Sequence, residues 1–423
     1  MILPLALFLS TYVLLLILPK YRAYIALASA ALFVVFGILP VGKVFFSVDW
    51  NVILMIAGTM GIVSLFIESK MPSLLADIII AKMPNVKWAI ISLSLFAGII
   101  SAFIDNVATV LMVAPVALTI SKKLNISPVP SIIAISISSN LQGAATLVGD
   151  TTSIMLGGHA NMDFLDFFFY RGRPGLFWNV QLGAIAATII LVLVFRKENQ
   201  RIDVKDRTIV EDYFPSVLLV GTIILLILAS FIPEYMKPSI TNGLICVGLM
   251  AIGLIRDTIR TRSLTPLKRT LREIDYFTLL LLCGLFVVIG GISEAGVIDE
   301  ISKLFVRVSG NNLLLMYSLI VWASVLFSAF IDNIPYVATM LPVTGSIANV
   351  MGVDPIILYF GLLIGATLGG NLTPIGASAN ITSLGILKKE GYEVKTKDFM
   401  KISVPFTLTA VTTGYILVWL IWR

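Results

Sequence analysis

Apolar stretches long enough to cross a bilayer recur along the chain, at 2–18, 23–39, 51–67, 131–158, 177–195, 214–232, 239–255, 276–292, 355–387 and 401–421. A helix needs about 20 predominantly apolar residues to span the hydrocarbon core, so the pattern predicts about ten membrane-crossing segments. Two further stretches, 88–121 and 313–350, carry Asp-Asn at their middles. Each is too long for one crossing and too short for two with a turn between them. Each therefore reads as a re-entrant helical hairpin with Asp-Asn at its tip. Non-helical backbone at membrane depth is tolerated only where protein or a water-filled cavity surrounds it. Small and hydroxylic residues, with Pro374, interrupt the apolar runs at 143–158 and 369–381, which predicts two broken helices. The fold class is an all-α integral membrane protein.

The polar positions repeat. Ser-Ala-Phe-Ile-Asp-Asn stands at 101–106 and again at 328–333. Asp49-Trp50 answers to Asp275-Tyr276 and Glu68 to Glu294 at an offset of 226, then Pro115 to Pro342, Thr146 to Thr373 and Gly149 to Gly376 at 227. One insertion aligns the two copies, which marks an internal duplication. Basic residues give the orientation. The loops 196–212 (Arg196, Lys197, Arg201, Lys205, Arg207) and 256–272 (Arg256, Arg260, Arg262, Lys268, Arg269, Arg272) are two crossings apart and share a side. By the positive-inside rule that side is the cytoplasm. Lys20 and Arg22, and the lysines near 70–87, 122–123 and 388–397, fall there too, while Arg171, Arg173, Lys303 and Arg307 fall outside. Both termini are then outside, and the copies enter the membrane from opposite sides. That inverted arrangement is associated with secondary transporters. The expected division is N-terminal scaffold helices over 1–48, a first repeat over 49–195, a cytoplasmic linker at 196–213, scaffold helices with a basic loop over 214–274, and a second repeat over 275–423.

Composition agrees with a membrane protein. Of 423 residues, 58% are hydrophobic and 13% charged, against about 25% charged in soluble domains. The net charge of +6 sits mostly in a few short loops, which speaks for membrane orientation and not for nucleic acid. Cys246 and Cys283 lie in apolar segments and suggest no disulfide framework. A single His159 and no Cys/His cluster leave no zinc or haem site. The apolar run after Met1 reads as a retained first span and not as a signal peptide. Met162–Tyr170, aromatic and acidic, reads as an interfacial amphipathic helix.

An Asp at a helix centre in the bilayer costs roughly 2.5–3.5 kcal/mol on insertion scales, so Asp105 and Asp332 need a reason. One reason is capping, since Asp and Asn accept the orphan N–H groups of a helix start. The other is binding of a cation or proton at the midplane, helped by the several-unit rise in pKa that desolvation can give a carboxylate. The two roles are compatible. Broken helices free carbonyl oxygens that suit sodium. The candidate site is therefore Asp105, Asn106, Asp332 and Asn333 at the tips, with Thr146, Gly149, Asp150, Thr151, Thr152 and Ser153 in the first break and Asn371, Thr373, Gly376, Ser378 and Asn380 in the second. Asp105, Asn106, Asp150, Asp332 and Asn333 are the candidate sodium ligands. Asp150 aligns with Ala377 and Ser153 with Asn380, so the two breaks are chemically unequal. Glu68 and Glu294 suit helix ends at the interface.

The run Ser-Ala-Phe-Ile-Asp-Asn-Val-Ala-Thr-Val-Leu-Met-Val-Ala-Pro-Val resembles the hairpin of the ion transporter superfamily. That group includes arsenite permeases, NhaD-type sodium–proton antiporters, the melanosomal P protein and the divalent-anion/sodium symporters. Gly149-Asp150-Thr151-Thr152 with Ile154-Met155-Leu156 is most similar to the NhaD type. The dicarboxylate symporters carry Ser-Asn-Thr where this chain has Asp105-Asn106-Val107 and Asp332-Asn333-Ile334, which points away from a dicarboxylate or citrate. The resemblance implies a homodimer of scaffold domains and a transport domain that moves like an elevator. Up to three carboxylates near one site, with no Lys or Arg in the neighbouring apolar segments, lean the same way, because like charges in low dielectric repel a multivalent anion. The expected function is sodium–proton antiport in a prokaryotic inner membrane, with sodium or the proton as coupling ion and no other cofactor. The alternative is a sodium- or proton-coupled permease for citrate, another carboxylate or an arsenite-like solute. A channel or an intramembrane aspartyl enzyme stands further off.

Overall fold

The computed structural model describes residues 2–124, 126–201 and 207–423. The first half runs α1 (Ile2–Ile17), a 3-10 turn, α2 (Arg22–Val35), α3 (Val41–Ser47), α4 (Trp50–Glu68), α5 (Met71–Ile80), α6 (Val86–Ser101), α7 (Asn106–Lys123), α8 (Val129–Gln142), α9 (Thr151–Ala160), the strands β1 (Phe169–Tyr170) and β2 (Arg173–Pro174), and α10 (Leu176–Val194). The second half runs α11 (Phe214–Ala229), α12 (Thr241–Thr261), α13 (Thr265–Glu273), α14 (Tyr276–Glu294), α15 (Val297–Ser309), α16 (Leu313–Ser328), α17 (Asn333–Met351), α18 (Ile356–Leu363), α19 (Ser378–Lys389) and α20 (Thr396–Trp422). Helix for helix, the second half follows the order of the first.

The local signals repeat with the helices. Asp49 caps α4 through the N–H of Val52, and Asp275 caps α14 through that of Thr278, both at 3.1 Å. Asn85 and Asn312 cap α6 and α16 in the same way, again at 3.1 Å. A left-handed residue precedes α5 and α15, Lys70 at φ 60° and Gly296 at φ 70°. Each is an ordinary capping or turn device; their recurrence at offsets of 226 and then 227 shows that the duplication extends to backbone geometry.

The packing repeats as well. A Cβ on Gly58 would lie 2.5 Å from the Cys246 carbonyl carbon, and one on Gly284 2.6 Å from that of Ala26. These glycines let α4 press against α12, and α14 against α2. In a second contact of the same kind Gly253 faces Leu65 while Gly291 faces Phe33. Residues of α2 therefore take the place of residues 220 further on in α12.

Both hairpins lie where the apolar pattern predicts them, as α6–α7 and α16–α17. So do the broken helices. The first is α8, a 3-10 turn at Gly143–Ala145 and α9; the second is α18, a π-turn at Ile364–Leu368, a 3-10 turn at Gly370–Leu372 and α19. Among the described residues six helices are long and apolar enough to cross a membrane: α4, α10, α12, α14, α17 and α20. Two further pairs pass that test only jointly, α1 with α2 and α15 with α16, bent by 114° and 115°. The expected crossings 2–18 and 23–39 correspond to α1 and α2, which meet at this sharp bend. Pro19 opens the turn between them and the polar Lys20 and Arg22 follow.

Other expectations are corrected. Met162–Tyr170 is not a helix but a 3-10 turn at Leu165–Phe167 followed by the β1–β2 ribbon. Asp166 accepts the N–H of Asp163 at 2.7 Å, and Arg171-Gly172 turns the ribbon with φ 47° and 76°, a pair of positive angles that suits a two-residue hairpin. α5, α13 and α15 fall in stretches given no element by the apolar pattern. Asp203, Lys205 and Asp206 of the linker lie outside the described residues.

Candidate functional site

The two tips share one construction. α6 ends at Ser101 and α7 begins at Asn106; Asp105 Oδ2 accepts the N–H groups of Val107 at 3.0 Å and Ala108 at 3.1 Å. α16 ends at Ser328 and α17 begins at Asn333; Asp332 Oδ1 accepts the N–H of Ile334 at 3.1 Å. Both aspartates are N-caps. The threonine hydroxyls of the breaks pin these tips: Thr146 donates to the Ala102 carbonyl, and Thr373 to that of Ala329. Gly149 and Gly376 sit against backbone oxygens at the same two places, where a Cβ would come within 2.6 Å and 2.5 Å of a carbonyl. Ser153 donates to Gly143 O and Asn380 to Gly370 O, each at 3.2 Å. Asn371 donates to Ile137 O at 2.9 Å. These residues lock hairpin to break and break to break, and they are buried in that packing.

The polar network then diverges between the halves. Asn106 donates to Asn140 Oδ1 at 2.9 Å, and Asn140 to Thr367 O at 2.8 Å. Asn333 instead donates to Asp150 Oδ2 at 3.2 Å. Asp150 also accepts the Thr151 N–H at 2.8 Å and the Thr152 hydroxyl at 3.0 Å. The carboxylate with no counterpart in the second break therefore ties the first break to the second tip.

A cavity of about 410 Å³ reaches both tips, and its wall includes Asp105, Asn106, Asp150, Thr151, Asn333 and Ser378. Opposite them stand Ser64 of α4 and Glu273, Asp275 and Thr278 from the end of α13 and the start of α14. Glu273 and Asp275 are exposed and form the mouth, so the cavity opens on the side of the basic loop. Among the described residues, four carboxylates and no Lys or Arg line it. The equivalent place on the other side holds a smaller cavity of about 200 Å³, with Ser47, Asp49 and Ala338 where the larger one has Glu273, Asp275 and Leu111. Neither hairpin-tip aspartate lines it.

Two residues at the site, Glu273 and Arg22, belong to no motif in the sequence. Glu273 lies next to the basic loop, two positions before the repeated Asp275, and only that spacing signals it. Arg22, expected on the cytoplasmic side, pairs through its Nη1 with Asp332 Oδ2 at 3.1 Å, with both side chains less than a fifth exposed. Its Nε donates to Leu15 O at 3.3 Å, and the nearby Tyr12 hydroxyl donates to Pro335 O at 2.9 Å. The expectation of three like charges without a basic neighbour is thus corrected. Asp105 and Asp150 face the cavity, while Asp332 is neutralised by Arg22 and stands behind the wall residues Ile334 and Ser378, which it meets at 3.1 and 3.5 Å. Among the described residues no three His, Cys, Asp or Glu side chains converge as a metal cluster. Glu68 pairs with Arg269, and Glu294 with Lys43; they are repeated helix-end ion pairs. His159 contacts Tyr359 at 3.2 Å, away from the tips.

The sequence profile of the citrate transporter family (CitMHS) matches residues 12–365. The chain belongs to that family. It is a membrane transporter of the ion transporter superfamily, as the hairpin motif implied. An uncharacterised transporter of Mycobacterium tuberculosis is 32% identical, covering 98% of this chain and 96% of that one. The P protein of Homo sapiens is 26% identical over 88% of this chain and 54% of its own length. Among solved structures, the YdaH transporter of Alcanivorax borkumensis superposes with a TM-score of 0.62 at 14% identity, covering 89% and 86% of the two chains. MtrF of Neisseria gonorrhoeae, described as one of a class of antimetabolite efflux pumps, gives 0.53 at 14%, over 94% and 93%. At such identity the likeness concerns the fold alone.

Proposed function

We propose that this transporter exchanges a monovalent cation, sodium first, for protons at the cavity between the hairpin tips. The observation that carries this reading is the wall of four carboxylates, with no lysine or arginine among the described residues. A cation is drawn into such a cavity and a free multivalent anion is repelled. Asp105 and Asp150 are the groups for which cation and proton compete. The duplicated halves act as an inverted repeat whose basic loops face the cytoplasm. The hairpins and breaks move as an elevator against α4, α14 and their partners α12 and α2. The large cavity then belongs to a cytoplasm-open conformation, and the small one marks where the opposite access forms.

A second reading keeps the architecture and changes the cargo. The description of the family as citrate transporters, with the Arg22 guanidinium at the second tip, favours a carboxylate or oxyanion that enters with cations. The test is a flux assay in proteoliposomes under a pH gradient, with sodium, lithium, citrate and arsenite offered in turn. Saturable proton release on sodium addition is expected, and Asp105→Asn or Asp332→Asn abolishes it. Citrate uptake without any sodium-driven proton release overturns the first reading.

A further inference from the structure

Arg22 sits at a position that the duplication makes informative. The repeated glycine contacts set residues of α2 against residues of α12 at an offset of 220, so the counterpart of Arg22 is Asn242. Arg22 holds Asp332, the second tip, by an ion pair. Asn242 is buried at 7% exposure, its Oδ1 has no hydrogen-bond partner among the described residues, and it lines a third cavity, of about 830 Å³, together with Asp49, Asn51 and Lys237. Two equivalent positions on the helices that flank the site thus carry a guanidinium on one side and a neutral amide on the other.

We propose that Arg22 is a coupling residue: a tethered cation that neutralises Asp332 only while the cavity opens toward the basic loop, and that releases it when the hairpins cross. This rests on the alternating-access reading above. The pair bridges two groups of elements that the elevator separates, α1–α2 on one side and the tip of α16–α17 on the other. Crossing must therefore break it, along with the Tyr12–Pro335 bond. In the opposite conformation the duplication brings the first tip, Asp105, toward Asn242. An amide can donate a hydrogen bond to Asp105 but cannot neutralise it. The two end conformations are consequently unequal in charge pairing, and the empty transporter rests open toward the basic loop. A transported cation that takes the place of the guanidinium at Asp332 frees the second tip to move.

Thiol accessibility reads this directly. Leu111 lines the large cavity and is 49% exposed, whereas its counterpart Ala338 lines the small one and is 5% exposed. Leu111→Cys and Ala338→Cys are placed singly in a chain whose Cys246 and Cys283 are alanines, reconstituted, and labelled from either face with a membrane-impermeant maleimide. The ratio of Ala338→Cys to Leu111→Cys labelling is expected to rise about tenfold in Arg22→Gln, which corresponds to about 1.4 kcal/mol. Asp332→Asn, which keeps a capping side chain, is expected to give the same rise, and Arg22→Lys a much smaller one. An unchanged ratio in both Arg22→Gln and Asp332→Asn, in a protein whose wild-type ratio still responds to sodium, overturns the role of Arg22 and leaves alternating access standing. An Ala338→Cys that is never labelled from the far face, under any ionic condition, overturns alternating access and this proposal with it.

Discussion

The two hairpin tips are the same structure used under different electrostatics. Each aspartate caps the second arm of its hairpin, each tip is pinned by a threonine from a break, and each break presses a glycine against the tip backbone. They differ in what arrives from outside the hairpin. Asp332 meets Arg22; Asp105 has no ion-pair partner among the described residues and lines the acidic cavity. The duplication supplied a symmetric frame, and the differences at Arg22, Asp150 and Glu273, against Asn242, Ala377 and Ser47, made it asymmetric. Chemistry is therefore to be sought where the halves differ, and fold stability where they agree.

The largest expected effect breaks the comparison at the charge itself. Asp105→Asn keeps the cap, since Asn caps about as well as Asp, but removes the carboxylate from the cavity. Cation–proton exchange in proteoliposomes should fall by about 100-fold or more, equivalent to roughly 2.7 kcal/mol. The thermal unfolding midpoint in detergent should move little. A large loss of thermal stability with exchange retained would make Asp105 a structural cap only.

Next come the positions where the halves agree. A Cβ at Gly149 would meet the Gly143, Ala102 and Ser101 carbonyl oxygens at 2.6, 2.9 and 3.0 Å; at Gly376 it would meet those of Gly370, Ser328 and Ala329 at 2.5, 2.7 and 2.9 Å. All six are backbone atoms, so the hairpin must shift away from the break. Gly149→Ala and Gly376→Ala should each cost about 1–3 kcal/mol, the range of overpacking in a filled core, and to a similar degree. Unequal losses in thermal-shift measurements would show that the breaks do not serve their hairpins equally.

Asp332→Asn sharpens the same comparison from the other tip. It leaves Arg22, with a side chain only 17% exposed, facing a neutral amide. Stranding one member of a buried ion pair is more costly than losing the pair's attraction. A loss of roughly 1–2 kcal/mol is expected, tempered by the partial exposure. The thermal midpoint of Asp332→Asn should fall clearly below that of Asp105→Asn; equal midpoints would mean that the Arg22 pair contributes nothing to the fold.

Much of this frame was legible in the chain. Hairpins, breaks and duplication all follow from apolar periodicity interrupted by Asp-Asn, Gly, Thr and Pro, because backbone and side-chain polarity are severely restricted in lipid. What escaped was short or long-range. α5 is apolar but too short to read as a span, and the amphipathic pattern of α13 and α15 resembles a polar loop. Arg22 lies 310 residues from Asp332, and no local signal distinguishes a turn arginine from one that folds back onto a hairpin tip. The inequality of Asp150 and Ala377 was visible by alignment, but its consequence, the tie from Asp150 to Asn333, needed the packing of both halves.

The smallest expected effect lies where the halves differ outside the bilayer. Before α11, Asp212 accepts two hydrogen bonds from Arg256, at 2.5 and 3.1 Å, and one from Arg260 at 2.5 Å. The position of Arg256 on α12 corresponds to Phe36, at the end of α2, so the first half has no such clamp. The hydrogen bonds from Arg256 chiefly hold the Asp212 carboxyl below its ordinary pKa, with help from the Phe214 N–H and the charge of Arg260. A carboxylate depressed in the folded state stabilises it above the ordinary carboxylate pKa of about 3.9, and that contribution is lost as the pH falls through the lowered value. The arginines are 35% and 50% exposed, so water screens the pairs and the gain stays at about 1 kcal/mol or below. Asp212→Asn should therefore lower the thermal midpoint slightly at pH 7, and the gap to the unsubstituted protein should close as the pH is brought below about 4. A gap that widens on acidification would mean that Asp212 acts through its shape in the turn and not through its charge.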